Sequence, residues 1–193
     1  VASEIGHPDA VMVRSADMHA MDIPASVLAI GRAGAGTNNI PVKALSARGV
    51  PVLRISYRKP NDLDLCRVDL AAAVQLAIGG GGSERVVLMG HSFGGAVAVG
   101  VGVGLHEMVA GVVTFATQSA GCELAGGLQG TPFLLFHGER DEILPIFASE
   151  MVQMIAGHGE LVRLPGDGHL LAKSDDAIWE RLEEWLPPRL LGT

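Results

Sequence analysis

Hydrophobic residues form short runs rich in valine, isoleucine and leucine, and these runs alternate with longer stretches that have a helical spacing of apolar positions. The short runs are typical of strands buried on both faces, and the alternation favours a parallel sheet covered by helices. Strands are predicted at Ala10–Arg14, Val27–Gly31, Val50–Ser56, Arg85–Met89, Val109–Phe115, Pro132–Phe136 and Glu160–Leu164. Helices are predicted at Pro41–Arg48, Leu65–Ile78, Gly94–Leu105, Ile146–Ala156 and Ser174–Leu186. The pattern therefore predicts the α/β class, a three-layer sandwich with a mostly parallel sheet.

Length and charge narrow the function classes. The chain has 193 residues, 48% of them hydrophobic and 18% charged, which is typical of one folded domain and not of a disordered chain. Its net charge of −7 would repel phosphate backbones, so nucleic acid is not an expected partner. There is no uninterrupted apolar run of about 18 residues and no basic, apolar leader, so we expect no membrane insertion and a cytoplasmic location.

Two features that often carry chemistry are interpreted as structural. Cys66 and Cys122 are too few for a disulfide framework and lack the spacing of metal ligands, so they are expected to be reduced thiols. The glycine run Gly79–Gly82 is interpreted as a turn between helix and strand, because no helix follows it that could bind a phosphate. No metal and no cofactor are expected.

The composition changes after residue 52. Residues 1–52 contain no aromatic residue and have balanced charges, so all aromatic residues and the whole negative excess lie in 53–193. A segment of 52 residues without aromatic side chains is too small to form a core alone. We therefore expect one packed domain, 1–193, made of the two segments 1–52 and 53–193.

Ser92 lies in the sequence Gly-His-Ser-Phe-Gly, directly after the predicted strand Arg85–Met89. A strand, a sharp turn and a helix are the context of a nucleophile elbow, in which flanking glycines avoid steric clashes around a strained serine. The following residues, 96–105, alternate like a strand, but an elbow requires a helix there and a helix is predicted. A bare GxSxG sequence is also compatible with an ordinary glycine-rich turn.

A serine nucleophile needs a base, and the base needs a carboxylate that orients it. Asp141 follows the strand Pro132–Phe136, and His169 follows the strand Glu160–Leu164. The carboxyl ends of parallel strands meet at one edge of a sheet, so Ser92, Asp141 and His169 are predicted to form a catalytic triad there. Taken singly, Asp141 is equally compatible with a helix N-cap, and His169 is more typical of an ordinary surface loop. His91 and His137 are interpreted as structural or exposed.

Residues 53–193 resemble a small α/β-hydrolase of the dienelactone-hydrolase-like type, through GHSFGG at 90–95, FHGERDEILP at 136–145 and GDGHLL at 166–171. The resemblance implies a minimal α/β-hydrolase fold without a lid domain and an open site for a small-molecule ester substrate. Its oxyanion hole would use the backbone N–H of Phe93 and an upstream N–H, for which Ala33 is the candidate. The HG dipeptide that usually supplies the upstream donor is missing.

Residues 8–52 resemble part of the N-terminal substrate domain of D-3-phosphoglycerate dehydrogenases, which implies that Arg14, Ser15 and the loop Gly34–Asn39 lie near a substrate. No complete G-x-G-x-x-G fingerprint is present, so no NAD binding is expected. The two resemblances together predict a chimera, natural or engineered. An ordinary hydrolase with a coincidentally similar start is the alternative.

Serine esterase activity is the leading functional hypothesis. The alternatives are a folded chimera with little or no turnover and a binder of phosphorylated hydroxy acids that uses Arg14 and Gly34–Asn39. In a hydrolase the strand at Val27–Gly31 lies between Val50–Ser56 and Arg85–Met89, and this order is predicted here. Ala10–Arg14 would then lie at the outer edge of the sheet or be exchanged in a homodimer.

Overall fold

The computed structural model of the chain describes residues 31–33, 52–80 and 84–190. The predicted elements Ala10–Arg14 and Pro41–Arg48, and most of Val27–Gly31, lie outside these residues. The strands are β1 (Gly31–Ala33), β2 (Val86–His91), β3 (Val109–Phe115), β4 (Phe133–Gly138) and β5 (Glu160–Leu164). The helices are α1 (Leu63–Gly79), α2 (Phe93–Gly104), α3 (Phe147–Ala156), α4 (Asp175–Trp185) and the short α5 (Pro187–Leu190), with a 3₁₀ turn at Ala125–Leu128.

The strands form one five-stranded sheet in the order β1-β2-β3-β4-β5, and every neighbouring pair is parallel. All residues of β2, β3 and β4 are buried, as expected for central strands covered on both faces. The predicted neighbours β1 and β2 are paired, with Gly31 opposite Leu88. The α/β class and the parallel sheet are confirmed.

Two apolar clusters cover the two faces of the sheet. On one face, side chains of α1, α2 and α3 pack against Leu88, Val112 and Leu135. On the other face, Ile178, Leu182 and Trp185 of α4 pack against strand residues that include Phe115 and Phe136, whose rings are stacked with centroids 5.3 Å apart. The sheet is therefore the middle of three layers, as predicted.

The predicted strand Val50–Ser56 is not formed as a regular strand over its described residues, 52–56. Within residues 52–56 only Arg54 makes a β-bridge, although Val52 is buried in the core. The other predicted elements that fall within the described residues agree with the structure to within two residues, whereas the 3₁₀ turn and the short α5 were not predicted. None of the described helices is long and apolar enough to cross a membrane.

Candidate active site

Ser92 occupies the turn between β2 and α2, with φ 54° and ψ −120°. A positive φ is strained for a residue with a side chain and is typical of an elbow that exposes its nucleophile. Gly90 makes this turn possible, because a Cβ there would lie 2.0 Å from the carbonyl oxygen of Gly94. The Ser92 N–H donates to the carbonyl oxygen of Phe115, at 2.8 Å, and ties the elbow to β3.

Both predicted oxyanion donors belong to residues beside the elbow. Phe93 is the first residue of α2, so its N–H has no partner within the helix. Ala33 is the last residue of β1 and lies opposite Gly90 in the parallel register. Ala33 is thus the last described residue at this point, because residues 34–39 lie outside the part of the chain that the structure describes.

Asp141 lies just beyond β4, and its side chain is fully buried. Its Oδ1 accepts hydrogen bonds from the N–H groups of Ile143 and Leu144, each at 2.8 Å, and its Oδ2 lies 2.7 Å from Nδ1 of His169. Burial alone would raise the pKa of Asp141, but the hydrogen bonds from Leu144, His169 and Ile143 outweigh it and hold the pKa below its ordinary value. The carboxylate is therefore ionised at neutral pH.

His169 lies in the loop of residues 165–174, the histidine loop, which is bound to the turn after β4 and is stabilised by hydrogen bonds within the loop. The N–H of Arg140 donates to the carbonyl oxygen of Asp167 at 2.9 Å. The Asp167 carboxylate in turn accepts from the N–H groups of Gly168, at 2.9 Å, and Lys173, at 3.0 Å. Because Nδ1 of His169 is bound by Asp141, Nε2 is the ring nitrogen left for proton exchange.

The elbow and the histidine loop are in direct contact. The rings of His91 and His169 meet edge to face with centroids 4.8 Å apart, and His91 Nε2 lies 2.8 Å from the carbonyl oxygen of His169. The structure therefore brings His169 and Asp141 together and places Ser92 next to a residue that contacts His169. Within the described part of the chain, no hydrogen bond joins the Ser92 hydroxyl to the His169 ring.

Two further histidines, which were expected to be only structural or exposed, contact the Asp141–His169 pair. His91 is 7% exposed and His137 is fully buried, and both contact the Asp141–His169 pair, His137 through Nε2 at 3.2 Å from Asp141 Oδ2. A histidine in an otherwise apolar buried strand, four residues before the predicted acid, was the available signal for His137. Polar side chains in such positions need a partner.

The thiols do not offer competing chemistry. Cys66 and Cys122 are free and buried. Burial, assisted by the charge of Glu123, raises the pKa of the Cys122 thiol to about 12, so this thiol is protonated at neutral pH and is not a nucleophile. Among the residues that the structure describes, no cluster of three or more His, Cys, Asp or Glu side chains has a metal-binding arrangement.

The fold is similar to those of solved α/β-hydrolases. Est1E from Butyrivibrio proteoclasticus is 17% identical, with a TM-score of 0.70 over 84% of this chain and 87% of that chain. A predicted CIB-like hydrolase from Thermoplasma acidophilum is 20% identical, with a TM-score of 0.64 over 82% and 85% of the two chains. An alpha-beta serine hydrolase homologue from Coxiella burnetii is 20% identical, with a TM-score of 0.67 over 83% and 85%. No curated protein sequence matches the chain.

A different family is found by sequence. The model of the D-isomer specific 2-hydroxyacid dehydrogenase catalytic domain matches residues 1–123. This match includes the segment 8–52 that resembles a dehydrogenase and continues through β3, so it overlaps the part of the hydrolase-like fold that contains the elbow. The chain thus belongs, through residues 1–123, to the D-isomer specific 2-hydroxyacid dehydrogenase family, and it combines this membership with the fold of an α/β-hydrolase.

Proposed function

We propose that the protein is a serine hydrolase of the carboxylesterase type, in which Ser92, His169 and Asp141 form the catalytic triad. The observation that carries this proposal is the 2.7 Å contact between His169 Nδ1 and Asp141 Oδ2 beside a serine with φ 54°. An ionised carboxylate on Nδ1 and a strained serine between strand and helix are the parts that serine hydrolysis needs. The hydrolase-like fold supports the same conclusion.

The proposed reaction has two halves. Ser92 Oγ attacks the acyl carbonyl carbon while His169 Nε2 takes the hydroxyl proton, and Asp141 stabilises the resulting imidazolium without accepting the proton. The N–H groups of Phe93 and Ala33 would hold the negative oxygen of the tetrahedral intermediate. His169 then returns the proton to the departing alcohol, and water releases the acyl group by the reverse sequence. This chemistry requires no metal and no cofactor.

A small ester or related acyl compound is the proposed substrate. Between Phe115, which ends β3, and Phe133, which begins β4, the only helical element is the 3₁₀ turn Ala125–Leu128, so no lid is inserted there. Ile143, which is 64% exposed, lies in the turn that contains Asp141, residues 139–145, which we call the acid turn. Leu170, which is 58% exposed, directly follows His169. Apolar side chains at these positions favour an apolar acyl group. These features fit a site that is open to solvent.

Active-site labelling tests this proposal. A fluorophosphonate probe should label the wild type and Ser56→Ala, which alters an exposed serine outside the elbow, but not Ser92→Ala. Hydrolysis of p-nitrophenyl acetate should follow the same pattern. Labelling of Ser92→Ala at the wild-type rate would show that Ser92 is not the nucleophile.

A second candidate is an engineered or recombined chimera that folds as an α/β-hydrolase with little or no catalytic activity. It is favoured by the dehydrogenase family match over residues 1–123, because this segment includes the region that must supply the upstream oxyanion donor. Loss of one such donor costs about 10²–10³ in rate. Labelling of Ser92 without measurable turnover of p-nitrophenyl acetate would favour this candidate.

A further inference from the structure

His137 is a fully buried histidine in β4 whose two ring nitrogens are both engaged. Its Nδ1 lies 2.7 Å from Oγ of Ser149, a buried residue of α3. Its Nε2 lies 2.9 Å from the carbonyl oxygen of Leu144 and 3.2 Å from Oδ2 of Asp141. No step of the proposed reaction uses this ring, yet it contacts the same carboxylate oxygen that binds His169.

The partners of His137 define its tautomer. The carbonyl oxygen of Leu144 can only accept, so Nε2 must carry a hydrogen. In the neutral ring Nδ1 is then an acceptor, and the Ser149 hydroxyl is its donor. An unprotonated Nε2 would instead direct its lone pair at two oxygens, those of Leu144 and Asp141. Ser149 therefore stabilises the tautomer that presents an N–H to the acid turn.

The Nε2–H of His137 contacts the acid turn at two residues, Asp141 and Leu144. The backbone N–H of Leu144 donates to Oδ1 of Asp141 at 2.8 Å, while its carbonyl oxygen accepts from His137. His137 thus holds Leu144 in the orientation in which Leu144 holds Asp141. It also presents a positive hydrogen to Oδ2, the oxygen that His169 contacts at 2.7 Å.

We infer that His137, whose Nε2–H faces Leu144 and Asp141 while Ser149 binds its Nδ1, is a positioning residue that fixes Asp141 against His169; this inference rests on the proposed function. Because its ring is fully buried, His137 does not reach the substrate. The titratable groups that face it are Asp141 and, beyond it, His169. Its register partner on β5, Arg163, forms an ion pair with Glu150 at 2.5 Å, and both side chains reach solvent.

Nitrogen NMR of the wild-type protein tests the tautomer without any need for turnover. In ¹⁵N-histidine-labelled protein at neutral pH, the His137 ring should have a protonated Nε2 and an unprotonated Nδ1. Ser149→Ala should keep the hydrogen on Nε2, which faces the oxygens of Leu144 and Asp141, but should shift the Nδ1 resonance, because Nδ1 loses its hydrogen-bond donor. A wild-type ring protonated at Nδ1 alone would overturn the inference.

Kinetics of substituted proteins test the positioning role. His137→Phe should lower kcat/KM, per folded molecule, by about tenfold to a hundredfold, as expected for loss of a hydrogen-bond donor near a charged group. The acid limb of its pH profile should also move, because the contact between the Asp141 carboxylate and His169 changes. His137→Gln, whose amide can donate again, should recover part of both effects.

His158 provides a matched control. Its ring nitrogens lie 3.0 Å and 2.9 Å from the carbonyl oxygens of Ala156 and Thr131, and it contacts neither Asp141 nor His169. His158→Phe should lower the melting temperature without moving the acid limb. An unchanged acid limb and an unchanged kcat/KM in His137→Phe would show that His137 is merely structural.

The outcomes separate this inference from the proposed function. Absence of any Ser92-dependent turnover in the wild type would defeat the proposed function. The ring nitrogen chemical shifts of His169 would then replace the acid limb as the readout, and they should differ between the wild type and His137→Phe. If His137→Phe does not fold, Ser149→Ala, which frees the His137 ring from α3, takes its place, and unchanged His169 shifts would overturn the inference.

Discussion

His91 Nε2 lies 2.8 Å from the carbonyl oxygen of His169, so the residue before the elbow serine binds the backbone of the residue that carries the proposed base. A carbonyl oxygen only accepts, and therefore Nε2 of His91 carries the hydrogen. This contact fixes the spacing between the β2–α2 turn and the loop after β5 independently of the Ser92 hydroxyl. The elbow and the proposed base are thus held together in the absence of a substrate, as the proposed nucleophilic catalysis would require.

Substitutions in the triad should have graded effects on esterase activity. His169→Ala removes the base and should lower kcat by about 10⁶-fold, whereas Asp141→Asn should lower it by about 10⁴-fold, because the base remains but its tautomer is no longer selected. Steady-state hydrolysis of p-nitrophenyl acetate measures both. The double variant should be little worse than His169→Ala, since the triad acts as a unit. Activities equal to that of the wild type would identify the hydrolysis as background.

The low pKa of Asp141 predicts how stability depends on pH. The folded-state pKa lies below the ordinary value of 3.8, so the folded protein binds this proton less readily than the unfolded chain does. The resulting stabilisation is present above pH 3.8 and is lost as the pH falls through the folded-state pKa. Urea titrations of the wild type and Asp141→Asn should show a difference in the free energy of unfolding that narrows below this pH. A difference that is constant with pH would contradict the assignment.

The bounds of strands and helices were predictable from the sequence because they depend on the local spacing of apolar residues. β3 and β5 have the predicted bounds, and the helix after Ser92 forms despite its alternating sequence, because the elbow leads directly into it. The contact of His91 with His169 was not predictable, since it joins two loops that approach only in the folded sheet. The partners of His137 lie nearby in the chain, but its contacts depend on the conformation of the turn after β4, which the sequence pattern does not define. The sequence pattern identifies which residues follow the carboxyl ends of strands and so lie at the same edge of the sheet. Three-dimensional packing decides which of these residues are in contact.

Two glycines of α2 should respond in opposite directions to substitution by alanine. Glycine in a helix costs about 1 kcal/mol relative to alanine. A Cβ on Gly104 would have no atom within 4 Å, so Gly104→Ala should raise the melting temperature by about 2–4 °C. A Cβ on Gly102 would lie 2.7 Å from Cγ2 of Val112, so packing leaves no room and Gly102→Ala should lower the melting temperature. Thermal unfolding followed by circular dichroism measures both, and a rise for Gly102→Ala would refute the packing argument.

Gly138, the last residue of β4, allows the histidine loop to approach the acid turn. A Cβ at this position would lie 2.4 Å from the carbonyl oxygen of Asp167 and 2.6 Å from that of Gly168. Both are backbone atoms directly before His169, so the loop rather than a flexible side chain would have to move. Gly138→Ala should therefore displace His169 from Asp141, and a displacement of about 1 Å costs about 10²-fold in rate.

Gly166→Ala, in the histidine loop itself, is the matched control for Gly138→Ala at the end of β4. Gly166 has φ +77°, so alanine is strained there, but an added Cβ would have nothing within 4 Å and would displace no neighbour. Gly166→Ala should lower the melting temperature while kcat stays near the wild-type value, whereas Gly138→Ala should lower both. If both variants lose stability and both keep wild-type kcat, the close approach of Gly138 to the loop has no part in holding His169 against Asp141.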